Sequence, residues 1–489
     1  MSRLTATVGR QIQRLVYGTL TPADLADELS LTTEIDLAHL VMLVECRLIP
    51  PADAAALIHR IGQLRAEDFR SLYGVPVPRG LYLAYEERLS AALGPDTGGR
   101  LHTGRSRNDL KATVTALRLR AELRSLLGEL TRLLAVLLAR ARAHRDVVMP
   151  VHTHYQAALP ITYGYYLTGV AVALGRDVTA LRQAVDALDR CPMGAGAAAG
   201  SDLPIDPSRT AQLLGFAAPA RHALDTVASR DGALHALAAA TGAALTISRL
   251  GTDLQLWSSA EFGFLAFPDR LVGGSSAMPQ KRNVFLLEHV KAKAGTAIGA
   301  WTAAAAMTRS TPFTNSIEVG TEAVAAVRPG LDAVRDAAVL VRALVSGGRP
   351  VPERMLARAE EGFVGATALA NRLVRQDVPF RTAHRLVGGA VRRAVERGAP
   401  RLSAEDLPEG LRDADVSLPA LVAAQVSGGG PGGFDAVFAA AYDDLLAHRD
   451  WLACAERRAV AARAALATAA AAIAGRAADG ARAPREGAP

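Results

Sequence analysis

The stretch GGSSAMPQKRN, Gly273 to Asn283, gathers two glycines, two serines, a lysine and an asparagine into one polar segment. Two further polar islands interrupt apolar sequence: HTGRSRND from His102 to Asp109, and HTHYQ from His152 to Gln156. Together they offer hydroxyls, amides, arginines, a lysine and a histidine, without the spacing that holds a metal ion. Cationic and amide donors pair with carboxylate oxygens, so this inventory suits a carboxylated small molecule. A serine is a poor base at its ordinary pKa. It acts as one only where cations and N–H groups stabilise its alkoxide in a site that excludes water.

The chain that must position these islands has 489 residues, half of them hydrophobic, enough for a large core and more than one domain. From Asp109 to about His144 the apolar residues Val114, Leu117, Leu119, Leu123, Leu126, Leu127, Leu130, Leu133 and Leu134 recur mostly at three- and four-residue steps. Similar runs span about 230–262 and 284–307, and alternating strand patterns are scarce, so the fold class is mainly α. Helices this rich in Ala and Leu, apolar on more than one side, belong inside a bundle or against other subunits. Breaks near 101–105 and 347–352 divide the chain into an N-terminal helical domain (1–105), a central long-helix bundle (106–350) and a C-terminal helical domain (351–465). The Ala-, Arg- and Gly-rich residues 466–489 read as a low-complexity tail whose end is frayed or disordered.

Composition excludes other classes. The net charge of +7 is spread thinly, with no Lys/Arg block and few aromatics for stacking, so nucleic-acid binding is not expected. Arg3, Arg10 and Arg14 precede no apolar run of signal-peptide length, and no window of about 18 uninterrupted apolar residues marks a membrane span. Cys46, Cys191 and Cys454 lie far apart, which suits a reducing compartment. A cytoplasmic protein with no metal or cofactor is expected.

TGRSRND, THYQAALP and GSSAMPQKRN, in that order, resemble the three signature regions of the argininosuccinate lyase branch of the fumarase/aspartase superfamily. CPMGAGAAAGSDLPID, LLGF, LDTVASRD and DLQLWSSAEFGF follow the same pattern between them. The resemblance leaves out only the first 30 and last 25 or so residues, and it implies a three-domain helical fold with a long central bundle. The implied reaction is a β-elimination that breaks an aspartate-like carbon–nitrogen bond and releases fumarate. The resemblance makes Ser275 the general base, with Ser276 the alternative, and gives Lys281 and Asn283 the stabilisation of an aci-carboxylate intermediate. Ser106, Arg107, Asn108, Thr153, Gln156 and Arg230 complete the binding of the dicarboxylate. His154 would pair with Glu288, a carboxylate that fixes the tautomer and raises the imidazole pKa. Whether His154 protonates the leaving nitrogen or positions substrate stays open. His102 and His152 have no such partner and read as structural. The family also implies a homotetramer whose sites draw on three subunits.

Departures from the family concentrate on one half of the substrate. Arg79, Gly80, Leu81 and Tyr82 stand where Glu-Asp-x-His is expected, Asp36 where a serine is, and His222 where an asparagine is. TNSIEVGTE places Thr314, Val319 and Glu322 where tyrosine, glutamine and lysine are expected. The retained positions hold the succinyl half, and most of the altered ones face arginine. An N-substituted aspartate other than argininosuccinate is therefore the expected substrate, with Asp36, Glu318 and Glu322 as acceptors for a donor-rich amine. Argininosuccinate lyase itself and a non-catalytic, crystallin-like member are the alternatives.

Overall fold

The computed structural model describes residues 8–482, apart from Thr19 and Pro78, and side chains as far as Arg476. The main helices are α1 (Pro22–Glu45), α2 (Pro51–Ala66), α3 (Leu81–Leu93), α4 (Arg107–Ala143), α5 (Tyr163–Ala187), α6 (Asp231–Trp257), α7 (Leu286–Thr308), α8 (Val324–Gly347) and α9 (Phe434–Arg482). Helices α4 to α8 pack together as a bundle. The leucines that set the sequence period of α4, from Leu119 through Leu134, are buried there, and α5 to α8 bury Leu167, Leu237, Val290 and Val334 on the same core.

A second apolar cluster joins α1, α2 and α3 to the start of α4. Leu466, Ala470 and Ile473 of α9 belong to it, so the alanine-rich stretch is helical and packed as far as these residues. Their four- and three-residue spacing puts the bulkier side chains on one face, which is sufficient because alanine lets the helices approach closely. The part of the expected tail beyond Arg482 lies outside the described residues. A third, smaller cluster forms around Leu369, Val387 and Leu421.

Strands occur only as two-stranded pairs among the described residues. One is a hairpin, β1 (Val148–Thr153) against β2 (Gln156–Thr162). By length and composition, α6 and a stretch of α9 would suffice to cross a membrane, which the sequence reading did not expect. In α6 the apolar residues Ala240, Ile247, Leu250 and Leu254 are buried in the bundle core. In α9 the hydropathy comes largely from alanine. All three cysteines are free.

Where the hairpin hands over to α5, Gly164 packs against the last turn of α4. A Cβ there would collide with the Ala141 carbonyl and with backbone atoms of Arg145 at 2.8 and 2.9 Å. Backbone cannot swing aside as a side-chain tip can, so Gly164→Ala is expected to destabilise the protein by ~1–3 kcal/mol, the usual cost of overpacking. Thermal unfolding against wild type measures this.

Candidate active site

The first island is built around a carboxylate. Asp109, fully buried in the first turn of α4, accepts from the backbone N–H of Ser106 at 2.9 Å through one oxygen and from Gly194 and Gly196 at 3.1 and 2.9 Å through the other. Ser106 caps the helix, its Oγ accepting from Asn108 N–H at 3.2 Å. A carboxylate and a hydroxyl at a helix start satisfy N–H groups that have no partner within the helix. Gly196 has φ of +60°, and its Cα faces the Gly200 carbonyl with no room for a side chain. The glycine-rich segment can therefore wrap the carboxylate.

Beneath this loop lies a buried charge. Arg105 and Asp36 have fully inaccessible side chains and pair at 2.6 Å. Tyr85 donates to the second Asp36 oxygen at 2.8 Å, and Arg105 donates to the Tyr82 hydroxyl at 2.7 Å. Burial pushes the pKa values of both tyrosines up, keeping them neutral. His102 Nδ1 lies 3.1 Å from the Tyr82 hydroxyl and 3.3 Å from Glu86, so this histidine does have a carboxylate partner, contrary to expectation. Asp36 is not the substrate acceptor expected from the sequence, because its side chain is fully inaccessible, with Arg105 and Tyr85 bonded to its two oxygens. His39 lies 2.8 Å from the Thr103 carbonyl, which fixes its Nε2 as the donor.

The island opens into a cavity of about 740 Å³, bounded by α1, Val77 and residues 79–82, the first turns of α4 and residues 315–321. Arg107, Asn108 and Lys111 line it. Asn315 donates to the Asn108 side-chain oxygen at 3.2 Å, Asn108 donates to the Ala197 carbonyl at 3.0 Å, and Arg107 donates to the Arg79 carbonyl at 3.2 Å. The altered positions Gly80 and Tyr82 are on this cavity wall. Val319 is buried away from it, and Glu318 and Glu322 are exposed on the π-helical turn Glu318–Ala323. Arg230 is mostly buried, its Nη1 donating to the carbonyls of Thr226, Val227 and Ser229, and burial pulls its pKa down.

The second island is the tip of the β1–β2 hairpin, which lies between α4 and α5. Thr153 pairs with Gln156, and His154 and Tyr155 form the turn with φ of +50° and +60°. Two positive-φ residues are what a tight hairpin requires, at a cost for residues other than glycine. His154 and Tyr155 are exposed and border a cavity of about 400 Å³ with His152, Tyr166 and Asp253.

The third island is a lobe clipped at its base. Gly273 and Asn283 exchange two backbone hydrogen bonds of 2.8 Å. Inside the lobe, Ser275 Oγ accepts from the N–H groups of Ala277 and Met278 at 3.3 and 3.1 Å. Those N–H groups aim at the atom that would carry charge if Ser275 lost its proton. Ser276, Lys281 and Glu288 are exposed, Glu288 in the first turn of α7.

Within one chain, Ser106, Arg107 and Asn108 come together, as do Thr153, His154 and Gln156, and as do Ser275, Lys281 and Asn283. Among the described residues no hydrogen bond or ion pair joins one group to another, and His154 makes no pair with Glu288. Sequence reading missed Lys111, Asn315 and Asp109. The signal for Lys111 is its place three residues after Asn108, one turn along the same helix face.

Residues 75–299 match the family model described as lyase, and residues 363–421 that of the argininosuccinate lyase C-terminal region. Argininosuccinate lyase of Pseudomonas aeruginosa is 38% identical over 363 residues, 74% of this chain and 78% of the relative. That of Methanoculleus marisnigri is 39% identical over 365 residues, 73% of each. The chain is an argininosuccinate lyase-like member of the fumarase/aspartase superfamily. Its fold is also that of EDDS lyase solved with formate, with a TM-score of 0.85, 26% identity and 97% of both chains covered. A class II fumarase from Schistosoma mansoni shares the fold at a TM-score of 0.68 and 17% identity, over 85% of this chain and 95% of the fumarase. The protein is thus a lyase-superfamily member with a mainly α fold, as its signature regions imply.

Two outcomes test the layer under the site. Removing one member of a buried ion pair strands the other, so Asp36→Ala is expected to cost roughly 3–5 kcal/mol in denaturant unfolding. Burial, with Arg105 nearby, lowers the His39 pKa from 6.5 to about 3. The unfolded chain therefore binds an extra proton between those values, and stability falls as pH drops from about 6.5 to about 3. His39→Gln, which keeps a donor for Thr103 but cannot titrate, should flatten that part of the pH–stability curve.

Proposed function

We propose that the protein is a carbon–nitrogen lyase that releases fumarate from an N-substituted aspartate other than argininosuccinate. In this reading Ser275 removes the proton beside one carboxylate, Lys281 and Asn283 stabilise the aci-carboxylate, and the C–N bond breaks with its electron pair leaving on nitrogen. The nitrogen takes up a proton and departs as the amine. His154 and Glu288 orient the leaving group or supply that proton. Ser106, Arg107, Asn108, Thr153, Gln156 and Arg230 hold the dicarboxylate.

The observation that carries the substrate reading is the wall of the larger cavity. Asn108 and Arg107 are in place at one end, while Gly80 and Tyr82 stand where the argininosuccinate lyase pattern has acid and histidine. Lost hydrogen-bond partners in a closed site discriminate strongly, because they leave polar groups unpaired. Overall similarity to a lyase named for EDDS agrees with a changed amine. The second reading, argininosuccinate lyase itself, is favoured by 38% identity to enzymes of that name.

We also infer a homotetramer with shared sites. The separation of the three islands within one chain supports it. So does exposure of Leu245 and Leu256 on α6, Ile298 and Trp301 on α7, and Val339 on α8, an apolar surface that association would cover.

Ser275→Ala and Lys281→Ala should each lower kcat at least ~10²-fold with the oligomer intact. If Ser276→Ala is the inactive variant instead, the base is Ser276. Mixing inactive His154→Ala and Ser275→Ala proteins under subunit exchange should restore part of the activity; no recovery would place each site within one chain. For the substrate, kcat/KM is compared between argininosuccinate and smaller N-substituted aspartates by fumarate absorbance. Argininosuccinate turnover at ~10⁴ M⁻¹s⁻¹ or more would favour the second reading.

A further inference from the structure

One wall of the larger cavity comes from residues ahead of the stretch matched by the lyase family model, which starts at residue 75. Val16 and Tyr17 end the short helix Arg10–Tyr17, and with Leu20 they line the cavity just before α1. No residue of that helix is buried. The Tyr17 ring packs over Gly80: a Cβ on Gly80 would lie 3.6 Å from Tyr17 Cε1. That is ordinary contact, so the ring fills the space into which a longer side chain at this position would extend. Gly80 also has φ of +96°, which disfavours any residue with a Cβ. Where the family pattern has an aspartate, this chain has an aromatic face supplied by its N-terminal segment.

The surroundings of Tyr17 are apolar as well. Val16 and Ile317 line the cavity yet are 60% and 64% exposed, and Val77 and Leu81 add apolar surface on either side of Gly80 in sequence. The acids on the same walls are occupied, Asp24 by Thr21 in the cap of α1, and Asp27 and Glu28 by Arg118 at 2.9 Å each. A guanidinium entering here meets no lining carboxylate without an existing partner. An apolar group, by contrast, covers side chains that otherwise face water.

We propose that Tyr17 determines specificity for the amine half of the substrate by packing its ring against an apolar or aromatic group on the leaving amine. This rests on the lyase reading above. Arg107 and Asn108, expected to hold the dicarboxylate, border the same cavity as Tyr17, so one molecule can reach both. A tyrosine ring suits the task because it offers a large, rigid apolar face.

Addition of amines to fumarate separates this proposal from the reading beneath it. The amine lone pair forms a C–N bond to one alkene carbon, the neighbouring carbon gains a proton, and the nitrogen loses one. Full-length protein is given fumarate with butylamine or benzylamine, and with agmatine or 1,4-diaminobutane, whose far ends are cationic. Ammonia serves as the amine with no far end. Wild type should favour butylamine and benzylamine over agmatine about tenfold or more, by kcat/KM for the amine, the scale of leaving a charged group unpaired. Tyr17→Ala should lower the benzylamine-to-agmatine ratio about threefold to tenfold, the scale of one ring contact, and Tyr17→Phe should retain it. Circular dichroism and size-exclusion profiles confirm that each variant folds and assembles as wild type does. If wild type adds none of these amines, the lyase reading itself fails. If only ammonia adds, if agmatine is used as well as benzylamine, or if Tyr17→Ala keeps the wild-type ratio, Tyr17 does not read the amine and the proposal is overturned.

Discussion

A guanidinium cannot be left unpaired in a protein interior, and Arg105 is fully enclosed two residues from the first helix turn of the site. Among the described residues its only carboxylate partner is Asp36 on α1, and its second contact is Tyr82 on α3. That requirement ties the N-terminal layer to the start of the longest bundle helix. The chain leaving Arg105 must then enter α4 with a fixed direction, and the Asp109 carboxylate fixes the next residues against the glycine-rich loop. Ser106 and Asn108 thus stand between two buried carboxylates that are satisfied elsewhere. Ser106 caps the helix there, and the Asn108 amide bridges the Ala197 carbonyl and Asn315 at the cavity wall.

Rigidity is handled differently at the other islands. At the hairpin tip, two residues with side chains adopt positive φ where glycine would be relaxed. The cost is of order 1 kcal/mol or more per residue, and it points His154 away from the sheet. The serine lobe has a closed base and an exposed rim. Its two internal N–H groups are already directed at Ser275 Oγ, while Lys281 is exposed on the rim. Each island is ordered by its own local contacts.

Much of the architecture is legible in the sequence because its long helices repeat a simple period. Leu119, Leu123, Leu126, Leu127 and Leu130 lie on one buried face, as three- and four-residue spacing requires. Signature residues are legible for another reason: their order along the chain, not their local chemistry, marks the family. What remains hidden depends on contacts between distant positions. Nothing local distinguishes Asp36 as the partner of an arginine 69 positions later, and an acid standing where a serine is expected reads as readily as a ligand. The hairpin hides because His-Tyr is not a usual tight-turn pair. The packed part of α9 hides because alanine dominates its composition, although Leu466, Ala470 and Ile473 keep a helical spacing.

Once Asp36, Tyr82 and Arg105 are seen together, two departures from the family pattern become one. An acid in place of a serine and a tyrosine in place of a histidine are both bonded to the same guanidinium, so neither can be replaced alone without stranding a partner. The acid gained at this position is consumed by Arg105 and adds no negative charge to the cavity. The acids that line the cavity, Asp24, Asp27 and Glu28, are likewise held within the protein, by a helix cap or by Arg118. The altered pair therefore acts on this wall through anchoring and shape, not by adding charge to the cavity.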